Sequence, residues 1–140
     1  YEHTLAERLR RGLDAIPGVQ THSLFGPGSD RVGVVAFTID GLDSSLVSTA
    51  LSVEHGIGVR DGKFCAHPLV DALLGDGSDA TPTTAVRASL GLATRPEHVE
   101  RLVSAVGELA AYGPKLAYSR GPGGWEPTHD PRVVDLPRPW

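Results

Sequence analysis

The chain has 140 residues, enough for one domain with a real core and too few for two ordinary ones. Charged residues make up 21 % and the formal net charge is −4, so neither nucleic acid nor an acidic membrane surface is an expected partner. A single cysteine excludes an internal disulfide framework and fits a reducing, cytoplasmic compartment, and no apolar run approaches the roughly 18 residues of a membrane span.

Tyr1 to Arg8 carries acids and no hydrophobic block, unlike a secretory signal. Methionine is absent and the chain opens on Tyr1 in what reads as a helix approach, so a piece of a longer protein is expected. Thr4-x-x-Glu7 has the pattern of a capping box, and Leu5, Leu9, Leu13 and Ile16 follow at helical spacing up to Pro17-Gly18. Val19 to Phe25 can form a short strand, and Gly26 to Asp30 a turn. Gly26 to Gly33 lacks the Gly-Lys-Ser/Thr ending of a phosphate loop, so a turn is the better reading. Arg31 to Ile39 is apolar on both faces and reads as a buried central strand.

Asp43 can cap a helix whose Leu46, Val47, Ala50 and Leu51 share a face, with Gly56 as its stop. Ile57 to Arg60 reads as a short strand, Pro68 as the first turn of a brief helix through Leu74, and Gly75 to Thr83 as a flexible loop. Thr84 to Leu90 reads as a strand with Val86, Ala88 and Leu90 on one face and Arg87 and Ser89 on the other. Thr94-x-x-Glu97 offers a second capping box, followed by Val99, Leu102, Val103, Val106 and Leu109 and ended by Gly113-Pro114. From Gly113 onward the composition changes to proline and glycine with little periodicity, so residues 113–140 are expected to lie extended over a surface as an extension to a domain at 1–112. Helices and strands in this order point to an α+β fold in two layers, with a mostly antiparallel sheet covered by helices.

The segment Val59 to Pro68 carries the chemistry. It places Cys65 in a loop between a strand and a helix, five residues after Arg60, while Arg87 lies on the strand that follows. Positive charge near a thiol favours its thiolate, and arginine binds carboxylates in a bidentate fork. On spacing alone the simpler reading is a small core cysteine and two solvated arginines, because an unpaired cysteine is usually buried and inert. Cys65-x-His67 is half of a zinc site at most, and the chain has no other thiol.

Several blocks, in order, resemble the C-terminal small domain of the class V aminotransferase family, on the cysteine desulfurase and selenocysteine lyase side. They are Ile16-Pro17-Gly18-Val19, Arg31 to Ile39, His55-Gly56-Ile57-Gly58-Val59-Arg60, Cys65-Ala66-x-Pro68-Leu69, Val86-Arg87-Ala88-Ser89 and the helix after Thr94. The resemblance implies a pyridoxal phosphate enzyme acting on an amino acid, cysteine by preference, with a sulfur-acceptor protein and a homodimer as partners. It implies Cys65 as the nucleophile that takes the substrate sulfur, Arg87 as the clamp on the substrate carboxylate, and Arg60 as a second basic residue at the mouth of the site or a structural salt bridge. The cofactor is implied to sit mainly on a large domain upstream, since Lys63 and Lys115 are the only lysines and neither lies in the family's lysine motif.

Lys63-Phe64 departs from the polar, often histidine-containing, pair that precedes the cysteine in the resembled family, and His67 is also unusual there. Two rivals follow: another class V reaction on an amino acid (carbon–sulfur lysis, epimerisation or transamination), or a non-catalytic dimerisation or binding module. The module predicts an exposed apolar patch and no convergence of Cys65 with Arg87.

Overall fold

In the computed structural model, which describes residues 1–26, 28–75 and 82–132, the apolar run before Asp40 becomes a central strand with both edges paired. In chain order the elements are α1 (Glu2–Asp14), β1 (Val19–His22), β2 (Val34–Ile39), α2 (Ser44–His55), β3 (Arg60–Gly62), α3 (His67–Leu74), β4 (Ala85–Ser89), α4 (Pro96–Tyr112), β5 (Tyr118–Gly121) and β6 (Gly124–Pro127). The main sheet has the order β1-β2-β4-β3 with every neighbouring pair antiparallel, and β5 and β6 form a separate hairpin. The fold is α+β in two layers, as the sequence indicates.

The period of two along each strand decides which side is buried. Val35, Phe37 and Ile39 of β2, with Val86 and Ala88 of β4, meet Leu5, Leu9 and Leu13 of α1, Val47, Ala50 and Leu51 of α2, and Val99, Leu102, Val106 and Leu109 of α4. Phe37 is fully buried at the centre of this cluster. Helices α1 and α4 approach closely where Gly12 faces Val103: a Cβ on Gly12 would lie 2.7 Å from Val103 Cγ2, so glycine sets the spacing.

Helix α2 is bounded as its sequence directs. Asp43 Oδ1 accepts from the Ser45 and Leu46 amides at 2.9 and 3.2 Å, and Gly56, at φ 63°, closes the helix in the left-handed conformation. Burial pushes the Asp43 carboxyl up, but hydrogen bonds from the Ser45 hydroxyl, the Leu46 and Ser45 amides and the Trp125 indole outweigh it and hold the group below its ordinary range.

Both expected capping boxes give way to other contacts, long-range at α1 and local at α4. Helix α1 begins at Glu2, two residues before Thr4, and Glu2 Oε1 accepts from the Gly33 amide at 2.8 Å, tying the helix start to the sheet. Thr94 instead accepts from the Gly91 amide at 2.8 Å, and helix α4 begins at Pro96, with His98 Nδ1 taking the Arg95 amide in place of Glu97. Strand β3 lies later than expected: Arg60 opens it rather than closing it.

The segment after Gly113 differs most from its sequence reading. Gly121-Pro122-Gly123-Gly124 turns a hairpin, with Tyr118 opposite Pro127 and Arg120 opposite Trp125. Glu54, in the last turn of α2, accepts from the Lys115 and Leu116 amides, both at 3.1 Å, and from the Tyr118 hydroxyl at 3.0 Å. At the other end of α2 the Trp125 indole donates to Asp43 at 3.3 Å. Of the loop from Gly75 to Thr83, residues 76–81 lie outside the described residues.

Candidate functional site

Strand alternation turns Arg87 away from the helices, because its neighbours Val86 and Ala88 both enter the core. Register then lines up a row across the opposite face: His22 pairs with Ala36, Ala36 with Arg87, and Arg87 with Arg60. Two guanidinium-bearing residues therefore stand directly opposite each other on adjacent strands. Cys65 reaches the same patch from the loop after β3, with its Sγ 3.6 Å from Arg60 Nη2.

The local backbone explains how the thiol is presented. The Ala66 amide donates to the Lys63 carbonyl at 2.7 Å, closing a four-residue turn whose central residues, Phe64 and Cys65, have φ of 55° and 59°. Positive φ at both central positions is the type I′ pattern, which ordinarily takes Asn and Gly. Holding other residues there costs on the order of 1–3 kcal/mol each. The conformation places Cys65 at an exposed turn tip and not in the core.

Around the turn each charged group has a distinct setting. Lys63 Nζ bonds Asp71 Oδ1 of α3 at 2.7 Å. The Arg87 guanidinium carbon lies 5.3 Å from the centroid of the Phe64 ring, and its buried Nε has no hydrogen-bond partner among the described residues. His67 opens α3 and is exposed. His22, which the sequence analysis did not single out, bonds Thr38 Oγ1 at 2.8 Å, and burial lowers its pKa. Phe64 was noticed only as a departure from a pattern; its position against Arg87 depends on a left-handed backbone that its residue type gives no reason to expect.

The arrangement suits a small anionic substrate. A guanidinium beside sulfur stabilises negative charge there, and a second, whose Nε has no partner among the described residues, offers a fork to a carboxylate. It does not suit pyridoxal phosphate as a resident group. Lys63 is committed to Asp71, and Lys115 to Glu108 at 2.6 Å, so neither lysine stands ready for a Schiff base. A groove of about 510 Å³ lies between α2 and the hairpin, lined by Ser48, Thr49, Trp125 and Arg132 among others, and Cys65 is not part of it.

The model of the family described as aminotransferase class-V matches residues 1–102. The chain belongs to the class-V aminotransferase family. A probable cysteine desulfurase from Xylella fastidiosa (strain Temecula1) is 35 % identical over 105 residues, covering 75 % of this chain and 23 % of that protein. Another, from Halobacterium salinarum, is 38 % identical over 82 residues, covering 59 % of this chain and 18 % of its own. The apo structure of a cysteine desulfurase from Thermococcus onnurineus NA1 superposes with a TM-score of 0.65 at 33 % identity, over 79 % of this chain and 25 % of that one. The chain thus spans less than a quarter of the length of these two curated relatives. The family match ends within α4, so the hairpin lies beyond it.

The binding-module reading predicts an exposed apolar patch and no convergence of Cys65 with Arg87, and its two marks point in opposite directions here. Cys65, Arg60 and Arg87 converge, as a catalytic patch requires. Exposed apolar side chains, as a binding module requires, also occur: Leu24, Phe25 and Val32 line the connection between β1 and β2. No helix among the described residues is long and apolar enough to cross a membrane.

Proposed function

We propose that this chain is the small domain of a cysteine desulfurase-like enzyme dependent on pyridoxal phosphate. In this reading Cys65 takes the substrate sulfur, Arg87 holds the substrate carboxylate, and Arg60 supports the charge on sulfur. The observation that carries the reading is the patch itself: an exposed thiol 3.6 Å from one guanidinium, which is in register with a second whose buried Nε has no partner among the described residues.

The chain's own residues have separable tasks. Arg87 fixes the α-carboxylate in its fork, which sets the position of the substrate's sulfur relative to the turn. The Cys65 thiolate forms a sulfur–sulfur bond as the substrate's carbon–sulfur bond breaks. Sulfur remains on Cys65 as a persulfide, and the carbon fragment keeps the electron pair, gains a proton and leaves as alanine. An exposed turn tip then leaves the persulfide open to a sulfur-acceptor protein. The cofactor, with its electron-sink chemistry, belongs to a domain outside these residues, in keeping with two lysines that are already paired.

A second reading, another class V reaction on an amino acid, is favoured by one observation. Lys63 is bound to Asp71 and Phe64 lies against Arg87, so neither residue before Cys65 presents a proton-transfer group to the thiol. Cys65→Ser in the full-length enzyme separates the two. Serine is barely ionised near neutral pH and forms no persulfide, so sulfide release from cysteine should vanish. Near-normal turnover by the serine variant would establish the second reading instead.

A further inference from the structure

Three features of Arg87 call for one explanation. Its Nε is buried with no hydrogen-bond partner among the described residues. Its register partner is another arginine, Arg60, and like charges opposite one another on a strand pair repel. Its guanidinium rests near an aromatic ring whose own residue is held at φ 55°, a conformation that bulky side chains rarely adopt. A structural arginine would ordinarily be paired with a carboxylate. Two acids of the neighbouring elements β3 and α3 are kept from it: Asp61 is in register with Val86 and so alternates to the other face, and Asp71 is bound by Lys63 at 2.7 Å.

We propose that Phe64 is a positioning residue that seats the Arg87 guanidinium by its face and thereby leaves its N–H edge open for a carboxylate. The proposal rests on the reading of Arg87 as the carboxylate clamp. An aromatic ring attracts a cation through its π-face and takes none of its hydrogen bonds. The guanidinium's five donors lie in its own plane, so contact with the face and bonding at the edge are compatible. An acidic partner would hold Arg87 equally well but would occupy the fork and compete with substrate. The pair Lys63-Phe64 then has a joint role: Lys63 diverts Asp71, and Phe64 replaces a carboxylate as the anchor. The left-handed backbone at Phe64 is what places the ring there.

The test uses the full-length enzyme and the equilibrium binding of L-alanine, which carries the same carboxylate without a reactive sulfur. Phe64→Leu and Phe64→Asn remove the ring. Asparagine also suits a positive φ, so that variant should keep or raise the thermal midpoint of unfolding. Both should weaken L-alanine binding about 3- to 30-fold, the range of a cation–π contact from exposed to desolvated. With cysteine as substrate KM should rise in parallel while kcat changes less than about twofold, the pattern of lost uniform binding. Phe64→Tyr should restore the affinity. Unchanged L-alanine affinity in Phe64→Asn, beside a large loss in Arg87→Ala, would overturn the role of Phe64 and leave the clamp standing. Unchanged affinity in Arg87→Ala would remove the clamp, and the seat with it.

Discussion

On β4, Val86 and Ala88 enter the helix layer at 1 % and 3 % exposure, while Arg87 between them faces the other way, its buried Nε without a partner among the described residues. The two faces of this sheet are built by opposite rules. On the helix side Val35, Phe37, Ile39, Val86 and Ala88 meet apolar partners from the helices, and local preference and tertiary packing agree. On the other side like charges stand in register, two non-glycine residues hold a left-handed turn, and a donor has no partner among the described residues. Rule-breaking gathered on one face is the mark of a surface shaped for something other than its own stability.

The largest expected effect lies on the helix side. Phe37→Ala should destabilise the fold by about 3–5 kcal/mol, the usual cost of emptying an aromatic site in a packed core, measured by denaturant unfolding. A loss below about 1 kcal/mol would mean that the core is far looser than its burial implies. On the other face the same measurement should give the opposite answer. Arg87→Ala removes an unpartnered donor and one of two like charges, so stability should hold, while amino-acid binding by the full-length enzyme falls by about 2–5 kcal/mol. Arg87→Lys should recover only part of that, since an ammonium lacks the fork. A stability loss in Arg87→Ala matching that of Phe37→Ala would erase the contrast between the faces.

The hairpin supplies a smaller test, because its polar groups are paired, unlike those around Cys65. Burial, then the hydrogen bond to Glu54 and that carboxylate's charge, raise the Tyr118 hydroxyl well above the ordinary tyrosine range. A proton held more tightly in the folded state gives stability that is complete below the unfolded value, about 10, and is lost as pH rises toward the folded one. In a Trp140→Phe background, Trp125 fluorescence should therefore stay constant through pH 10 and change only in stronger alkali. A transition centred at pH 10 or below would show that Tyr118 is not anchored to Glu54.

What the sequence made legible follows the same division. Asp43 and Gly56 bound α2 as read, Pro68 lies in the first turn of α3, the central strand forms though only from Val34, and the apolar stripe of α4 follows its periodicity, because local preference and burial agree there. Thr4 and Thr94 misled because a long-range bond from Glu2 and a local one from the Gly91 amide decided where the helices start. The hairpin was missed although Gly123-Gly124 is a turn signal; its strands are held by Glu54 and Asp43, far away in sequence. That Arg87 faces away from the helices and that Cys65 lies on a loop after Arg60 were legible through strand alternation and spacing. Their meeting point with Phe64 was not, since it depends on a backbone conformation that residue type argues against.

Glu54 has one more consequence, in the order of assembly. A carboxylate in the last turn of a helix faces the negative end of the helix dipole and is unfavourable there until donors reach it. All three of its donors come from residues more than sixty positions later, and the Trp125 indole reaches Asp43 across an even longer span. Contacts at such separation carry a large loop-closure cost and form once the intervening chain is in place. Helix α2 is thus completed by the last described part of the chain, and its C-terminal carboxylate gains these partners only when that part docks.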